Sequence, residues 1–145
     1  MTINITPFVG AGNIKLGTER AKLREQYQNK YSSRKSGDDV IDYFLNNQIT
    51  ADYDDNKASF IGLNAPLKVE YNGLDLFNMS YEQIYDALSV KSKDVYGDIS
   101  SLTFMDLGIT FYFERGNDIP NFPLQVGIFT REYYRNSMHT FKRIE

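Results

Sequence analysis

One-by-one alternation of core-type residues with others recurs along this chain, and few backbone geometries accommodate it. Ile49, Ala51 and Tyr53 interleave with Gln48, Thr50 and Asp52; Leu67, Val69 and Tyr71 with Lys68 and Glu70. Ile109, Phe111 and Phe113 interleave with Thr110, Tyr112 and Glu114, and Leu124, Val126 and Ile128 with Gln125, Gly127 and Phe129. A period of two sends successive side chains to opposite faces of a strand. Four such strands predict an antiparallel sheet with one face on a core and the other toward water. The apolar content fits, since 11 Tyr and 10 Phe with no Trp favour pleated surfaces over Leu-rich helix bundles. Asp54-Asp55-Asn56-Lys57 reads as a turn into the strand Ala58–Leu63, and Gly116–Pro120 as a longer loop between the last two strands.

Two segments break the alternation with a helical period. After Thr18 as a candidate N-cap, Ala21, Leu23, Tyr27 and Tyr31 form an apolar stripe, which predicts a helix over 19–31. Ser80 with Gln83 makes a capping box ahead of Ile84, Tyr85 and Leu88, which predicts a second helix over 81–90. Each helix follows a similar short strand, Ile14-Lys15-Leu16-Gly17 in one case and Leu74-Asp75-Leu76-Phe77 in the other, and each leads into strands. The order strand, helix, hairpin therefore occurs twice, over about 12–63 and 72–130, with a polar tail over 131–145. The expected fold is a single α+β domain spanning 1–145, with two helices packed on one face of one antiparallel sheet.

Composition removes several function classes. There is no cysteine, hence no disulfide and no thiolate metal site. The opening MTINITPFVG lacks the basic and apolar regions of a signal peptide, and no run approaches the roughly 18 apolar residues of a membrane span. A cytoplasmic protein that does not engage a membrane is expected. The net charge of −3 is unevenly spread: residues 15–35 hold seven basic groups against two acidic ones, whereas 37–118 hold fifteen acidic groups against five basic. An acidic central region steers toward a basic partner and away from nucleic acid, whose phosphates need clustered Lys and Arg.

Motifs that would carry chemistry fail in detail. The single histidine, His139, has no Ser, Cys or carboxylate partner at a useful spacing. The run Asp52–Asn56 imitates a calcium loop, but Lys57 stands where the loop needs Gly and Leu63 where it needs its bidentate Glu. Gly10-Ala11-Gly12 has no phosphate-loop lysine after it. No catalytic residue, metal ligand or cofactor is therefore expected, although carboxylates distant in sequence can still meet in space, which keeps a carboxylate-based enzyme open as an alternative. A structural or assembly adaptor is another. The strand register instead gathers Gln48, Thr50, Asp52, Thr110, Tyr112, Glu114, Gln125 and Phe129 on the water-facing side of the sheet, with Asp54 and Asp55 in the adjoining turn. Tyrosine area beside selective charges suits a protein-binding surface, and Asp52, Asp54, Asp55, Thr110, Tyr112, Glu114 and Phe129 are its candidate contacts.

The unit Gly12-Asn13-Ile14-Lys15-Leu16-Gly17-Thr18 before a helix, followed by Ile49-Thr50-Ala51-Asp52-Tyr53-Asp54 and Phe60-Ile61-Gly62-Leu63, resembles the bacterial immunity proteins of polymorphic and contact-dependent growth inhibition toxin systems. The duplicated plan is also similar to that of the β-lactamase inhibitor protein and of small outer-membrane assembly lipoproteins. This chain departs from it at Phe77, opposite Gly17, and lacks the lipoprotein cysteine. The resemblance implies a non-catalytic protein that binds and neutralises a cognate toxin domain, a nuclease being favoured because nucleases are basic.

Overall fold

The computed structural model describes residues 2–37, 39–114 and 121–133. Residues 116–120, His139 and the tail beyond Tyr133 lie outside them, so the expectations placed there have no structural counterpart. The chain is mostly β, and the expected single sheet with two helices on one face is not found: the described residues form two sheets, of five and eight strands, and two short α-helices.

The small sheet is built from β1 (Ile3–Thr6), β2 (Gly10–Ala11), β3 (Ile14–Lys15), β8 (Val69–Tyr71) and β9 (Leu74–Asp75), in the order β3-β2-β1-β8-β9. Its β1–β8 pairing is parallel and joins residues far apart in sequence, Ile3 opposite Val69 and Asn4 opposite Glu70. That pairing draws Val69 and Tyr71, expected in the main sheet, into the second one.

Helix α1 spans Arg20–Gln26 and α2 spans Tyr81–Ser89, so the first is much shorter than 19–31. At α2 the capping box forms in both directions: the Gln83 N–H donates to Ser80 Oγ, and the Ser80 N–H donates to Gln83 Oε1. At α1 the cap residue is Glu19 with no side-chain cap, and Thr18 Oγ1 donates instead to the Lys15 carbonyl. Without a cap and with only Leu23 buried, little extends α1 past about two turns.

Each helix is followed by a four-stranded meander where a hairpin was expected: β4 (Ser32–Ser36), β5 (Asp39–Phe44), β6 (Ile49–Asp54) and β7 (Lys57–Asn64) after α1, and β10 (Val95–Gly97), β11 (Ser101–Phe104), β12 (Ile109–Phe113) and β13 (Pro123–Phe129) after α2. The last strands of the two meanders pair with each other, giving the order β10-β11-β12-β13-β7-β6-β5-β4. The inner hairpins of the halves share one register, sixty positions apart. Phe44, Tyr43 and Asp42 face Ile49, Thr50 and Ala51, as Phe104, Thr103 and Leu102 face Ile109, Thr110 and Phe111.

Inward-facing residues of the large sheet, among them Phe44, Ile49, Ile61, Leu63, Phe104, Phe111, Val126 and Ile128, join Leu23, Ile84 and Leu88 of the helices and Ile5, Ile14 and Val69 of the small sheet in one apolar cluster. Leu124, expected to face inward, is 43% exposed. A bulge between Tyr112 and Phe113 pairs Phe113 with Pro123 and leaves Leu124 outside the ladder. Among the described residues no helix is long and apolar enough to cross a membrane.

Candidate functional site: the outer face of the large sheet and an adjoining cleft

The outer face of the large sheet is organised by a row that crosses its centre: Tyr43, Thr50, Gly62, Gly127, Thr110 and Thr103, each opposite the next. The two glycines sit where the halves meet, and neighbouring side chains fold over them. A Cβ on Gly62 would lie 2.4 Å from Thr50 Oγ1 and 2.7 Å from Gln125 Nε2; one on Gly127 would lie 2.4 Å from the Phe60 ring. Beside the row, Gln125 Nε2 donates to Asn64 Oδ1 at 2.8 Å, and the Thr103 and Thr110 hydroxyls bond at 2.7 Å. Tyr112, 51% exposed, stands opposite Gln125 and Ser101. From Tyr43 to Tyr112 this part of the face carries hydroxyls, amides and phenols and, among the described residues, no charged side chain.

The other end of the face is covered. The Tyr133 ring lies 5.1 Å from Phe60 and 6.4 Å from Phe129, and its hydroxyl donates to Asp52 Oδ2 at 2.9 Å. Phe129, placed by the sequence on an exposed surface, is therefore buried. Asp52 is half-buried; burial pushes its carboxyl above the ordinary range, the Tyr133 hydrogen bond opposes this, and the Asp39 charge adds to it. Of the remaining sequence candidates, Thr110 is half-buried in the central row, Tyr112 and Glu114 are exposed on or just beyond β12, and Asp54 and Asp55 are exposed at the β6–β7 turn. The strand register thus brings Thr110 and Tyr112 together, while the carboxylates lie at the margins.

The inward side of β5 holds the one fully buried carboxylate among the described residues, which sequence reasoning missed. Arg24 donates to Asp42 from Nε at 2.7 Å and from a terminal nitrogen at 2.9 Å, Ser33 Oγ donates at 2.6 Å, and the Tyr53 hydroxyl donates at 2.7 Å. Burial alone would raise the Asp42 carboxyl, but the hydrogen bonds from Arg24, Ser33 and Tyr53, with the Arg24 charge, outweigh it and hold the group below the usual carboxylate range. The Tyr53 phenol is pushed up, by burial first and then by that same hydrogen bond. Every oxygen of the buried carboxylate is satisfied, so the cluster ties α1 to β4, β5 and β6 rather than offering a reactive group.

Where that cluster ends, a cleft of about 580 Å³ opens between the segment after α1 and the β5–β6 turn. Tyr27, Tyr31 and Tyr43 line it with the amides of Gln28, Asn46 and Asn47; Lys30, Ser32 and Leu45 complete it. Tyr27 stacks on Phe44 at 4.6 Å, and its burial raises the phenol to about 12. Tyr31, 40% exposed, is pinned by the Arg24 guanidinium 4.2 Å from its ring centroid. Both walls are conformationally strained: Gln28, Leu45, Asn46 and Asn47 have φ of 55°, 50°, 54° and 68°. Left-handed backbone is unfavourable for non-glycine residues, and for a leucine above all. Hairpin length does not demand it, because the equally long turn over residues 105–108 manages with a single positive φ, at Gly108. The alternating pattern read from sequence carried no signal for these turns.

Comparison with protein-family models, curated proteins and solved structures returned no match.

Proposed function

We propose that this chain is a non-catalytic binding protein acting in the cytosol, an immunity-type inhibitor that occupies a toxin domain, and that it meets its partner with the part of the outer face of the eight-stranded sheet that lies between Tyr43 and Tyr112. The observation that carries this reading is the uncharged stretch from Tyr43 through Thr50, Asn64 and Gln125 to Tyr112. Rigid strands present tyrosines with few rotatable bonds beside adaptable amides and hydroxyls, a combination that binds protein surfaces with little loss of conformational entropy. The exposed carboxylates Asp54, Asp55 and Glu114 at its margins would govern the rate of encounter with a basic partner. The acidic sequence balance keeps a nuclease toxin the favoured target.

Growth rescue tests the proposal. A toxin domain encoded beside this chain should arrest a sensitive host when produced alone and not when this chain is co-produced. Protection should fail with Tyr112→Ala plus Gln125→Ala although the variant still folds. Arrest regardless of co-production refutes the immunity reading, and undiminished protection by the folded double variant refutes the face.

A further inference from the structure

The open edge of the large sheet carries a more specific inference, which rests on the reading of the chain as a protein-binding module. Among the described residues strand β4 pairs with β5 on one side only, and all five of its residues, Ser32 to Ser36, are exposed. The row of backbone N–H and C=O groups on its other side is therefore a template for an added strand. Its start, Ser32, is part of the wall of the tyrosine-lined cleft. The strand and cleft together carry Lys30, Arg34 and Lys35 and no carboxylate, and among the described residues none of the three cations is in an ion pair.

We propose that β4 takes up an extended, acidic segment of the protein partner as a ninth strand, with an aromatic or aliphatic side chain of that segment seated in the cleft between Tyr31, Tyr43 and Leu45. Each requirement on the occupant comes from a feature of the site. The unpaired edge asks for extended backbone. The three cations, none of them in an ion pair among the described residues, ask for carboxylates, and because Arg34 and Lys35 are consecutive they point to opposite faces and are met by neighbouring positions of an added strand. The half-exposed Leu45 and Tyr31, held in place by a strained turn and by Arg24, ask for an apolar anchor. A second copy of this chain fits less well, since full-length antiparallel pairing of β4 with itself would set Arg34 against Arg34. A basic segment fails on the same ground.

A displayed library of random peptides, selected on the full chain, tests this. Enriched peptides should carry two or more carboxylates with at least one large apolar residue, and Arg34→Glu plus Lys35→Glu should weaken them by about tenfold or more. Tyr43→Ala should weaken them through faster dissociation. The charge-reversed pair lies on a wholly exposed strand, and its melting curve serves as the folding control. Enrichment of neutral or basic peptides, no enrichment, or equal affinity for the charge-reversed variant overturns the proposal. In the growth-rescue assay, protection lost with Tyr112→Ala plus Gln125→Ala but kept with the β4 variant would overturn this edge site and leave the outer-face reading standing.

Discussion

Replacing Asp42 with leucine probes the polar cluster most directly, and its cost can be worked from the contacts. The substitution strips the acceptor from Arg24, Ser33 and Tyr53 at once. Ser33 is exposed and turns to water at little cost. Arg24 keeps 23% of its side-chain surface in contact with solvent and is partly rehydrated. The half-buried Tyr53 hydroxyl and the remaining Arg24 burial carry most of the loss, which places Asp42→Leu near the low end of the range for breaking a buried pair, about 3 kcal/mol. For a chain of this size that corresponds to a fall in Tm of roughly 6–12 °C. The second half of the molecule suggests the compensating change. Sixty positions after Arg24, Asp42 and Tyr53 stand Ile84, Leu102 and Phe113, all three buried in the apolar cluster. Arg24→Ile, Asp42→Leu and Tyr53→Phe together should melt within about 4 °C of the parent, because replacing all partners by apolar groups removes the desolvation cost along with the bonds. Urea or thermal unfolding followed by circular dichroism measures both. A single variant as stable as the parent, or a triple variant as unstable as the single, refutes the reasoning.

Three further outcomes are expected. Gly127→Ala pushes a Cβ against the Phe60 ring and to 3.0 Å from Thr110 Cγ2, so overpacking should cost about 1–3 kcal/mol in urea unfolding; a neutral effect would mean that the two halves meet less tightly than described. Asp52, whose folded carboxyl titrates above its unfolded value of about 3.9, should contribute a loss of stability as pH rises from that value through the folded one, and Asp52→Asn should be more stable than the parent at neutral pH and lack that decline; for Asp42 the sign is opposite, its contribution being full above about 3.9 and lost as pH falls through a lower folded value. Leu45→Gly should stabilise the isolated chain by up to about 1 kcal/mol by relieving a φ of 50°, while weakening any peptide that uses the cleft; a destabilised variant would show that the leucine is held there for packing.

Sequence alternation found only part of the strands that span the core: β5, in which every second residue is buried, and β11, which buries Leu102 and Phe104, were not read as strands. Ile49–Asp54 and 109–113 read correctly as strands because every second residue faces the core, whereas 58–63 was read from the turn before it and is buried on both faces, and 124–129 alternates only in part. Strand β4, SSRKS, has no apolar residue to alternate, and its pairing is fixed by β5 alone. The division into two sheets was illegible for a different reason. Val69 and Tyr71 alternate correctly, but the parallel partner that claims them, Ile3–Asn4, lies more than sixty residues away, and local pattern says nothing about which strand pairs with which. The site was legible to the extent that register dictates it. Thr110 and Tyr112 were placed on the outer face by counting, whereas the burial of Phe129 depends on Tyr133, which counting cannot bring over that end of the sheet.

The two halves of the large sheet serve as controls for each other. What they share sixty positions apart reflects the demands of the meander: Phe44 and Phe104, Ile49 and Ile109, Thr50 and Thr110 occupy matching places, and the glycine–threonine contacts across the centre repeat on both sides. What they do not share needs another reason. The second half closes its core with Ile84, Leu102 and Phe113 and turns its hairpin through Gly108, whereas the first holds a buried carboxylate and bends through three consecutive left-handed non-glycine residues. Both departures cost stability relative to the solution next door in the same fold. Both also converge on one place, for Arg24 braces Asp42 with one edge and the Tyr31 ring with its face, and Tyr31 walls the cleft whose other wall is the strained turn. Stability given up at one locus, where a cheaper arrangement is present in the same molecule, locates the candidate anchor site on the first half, at the β4 edge.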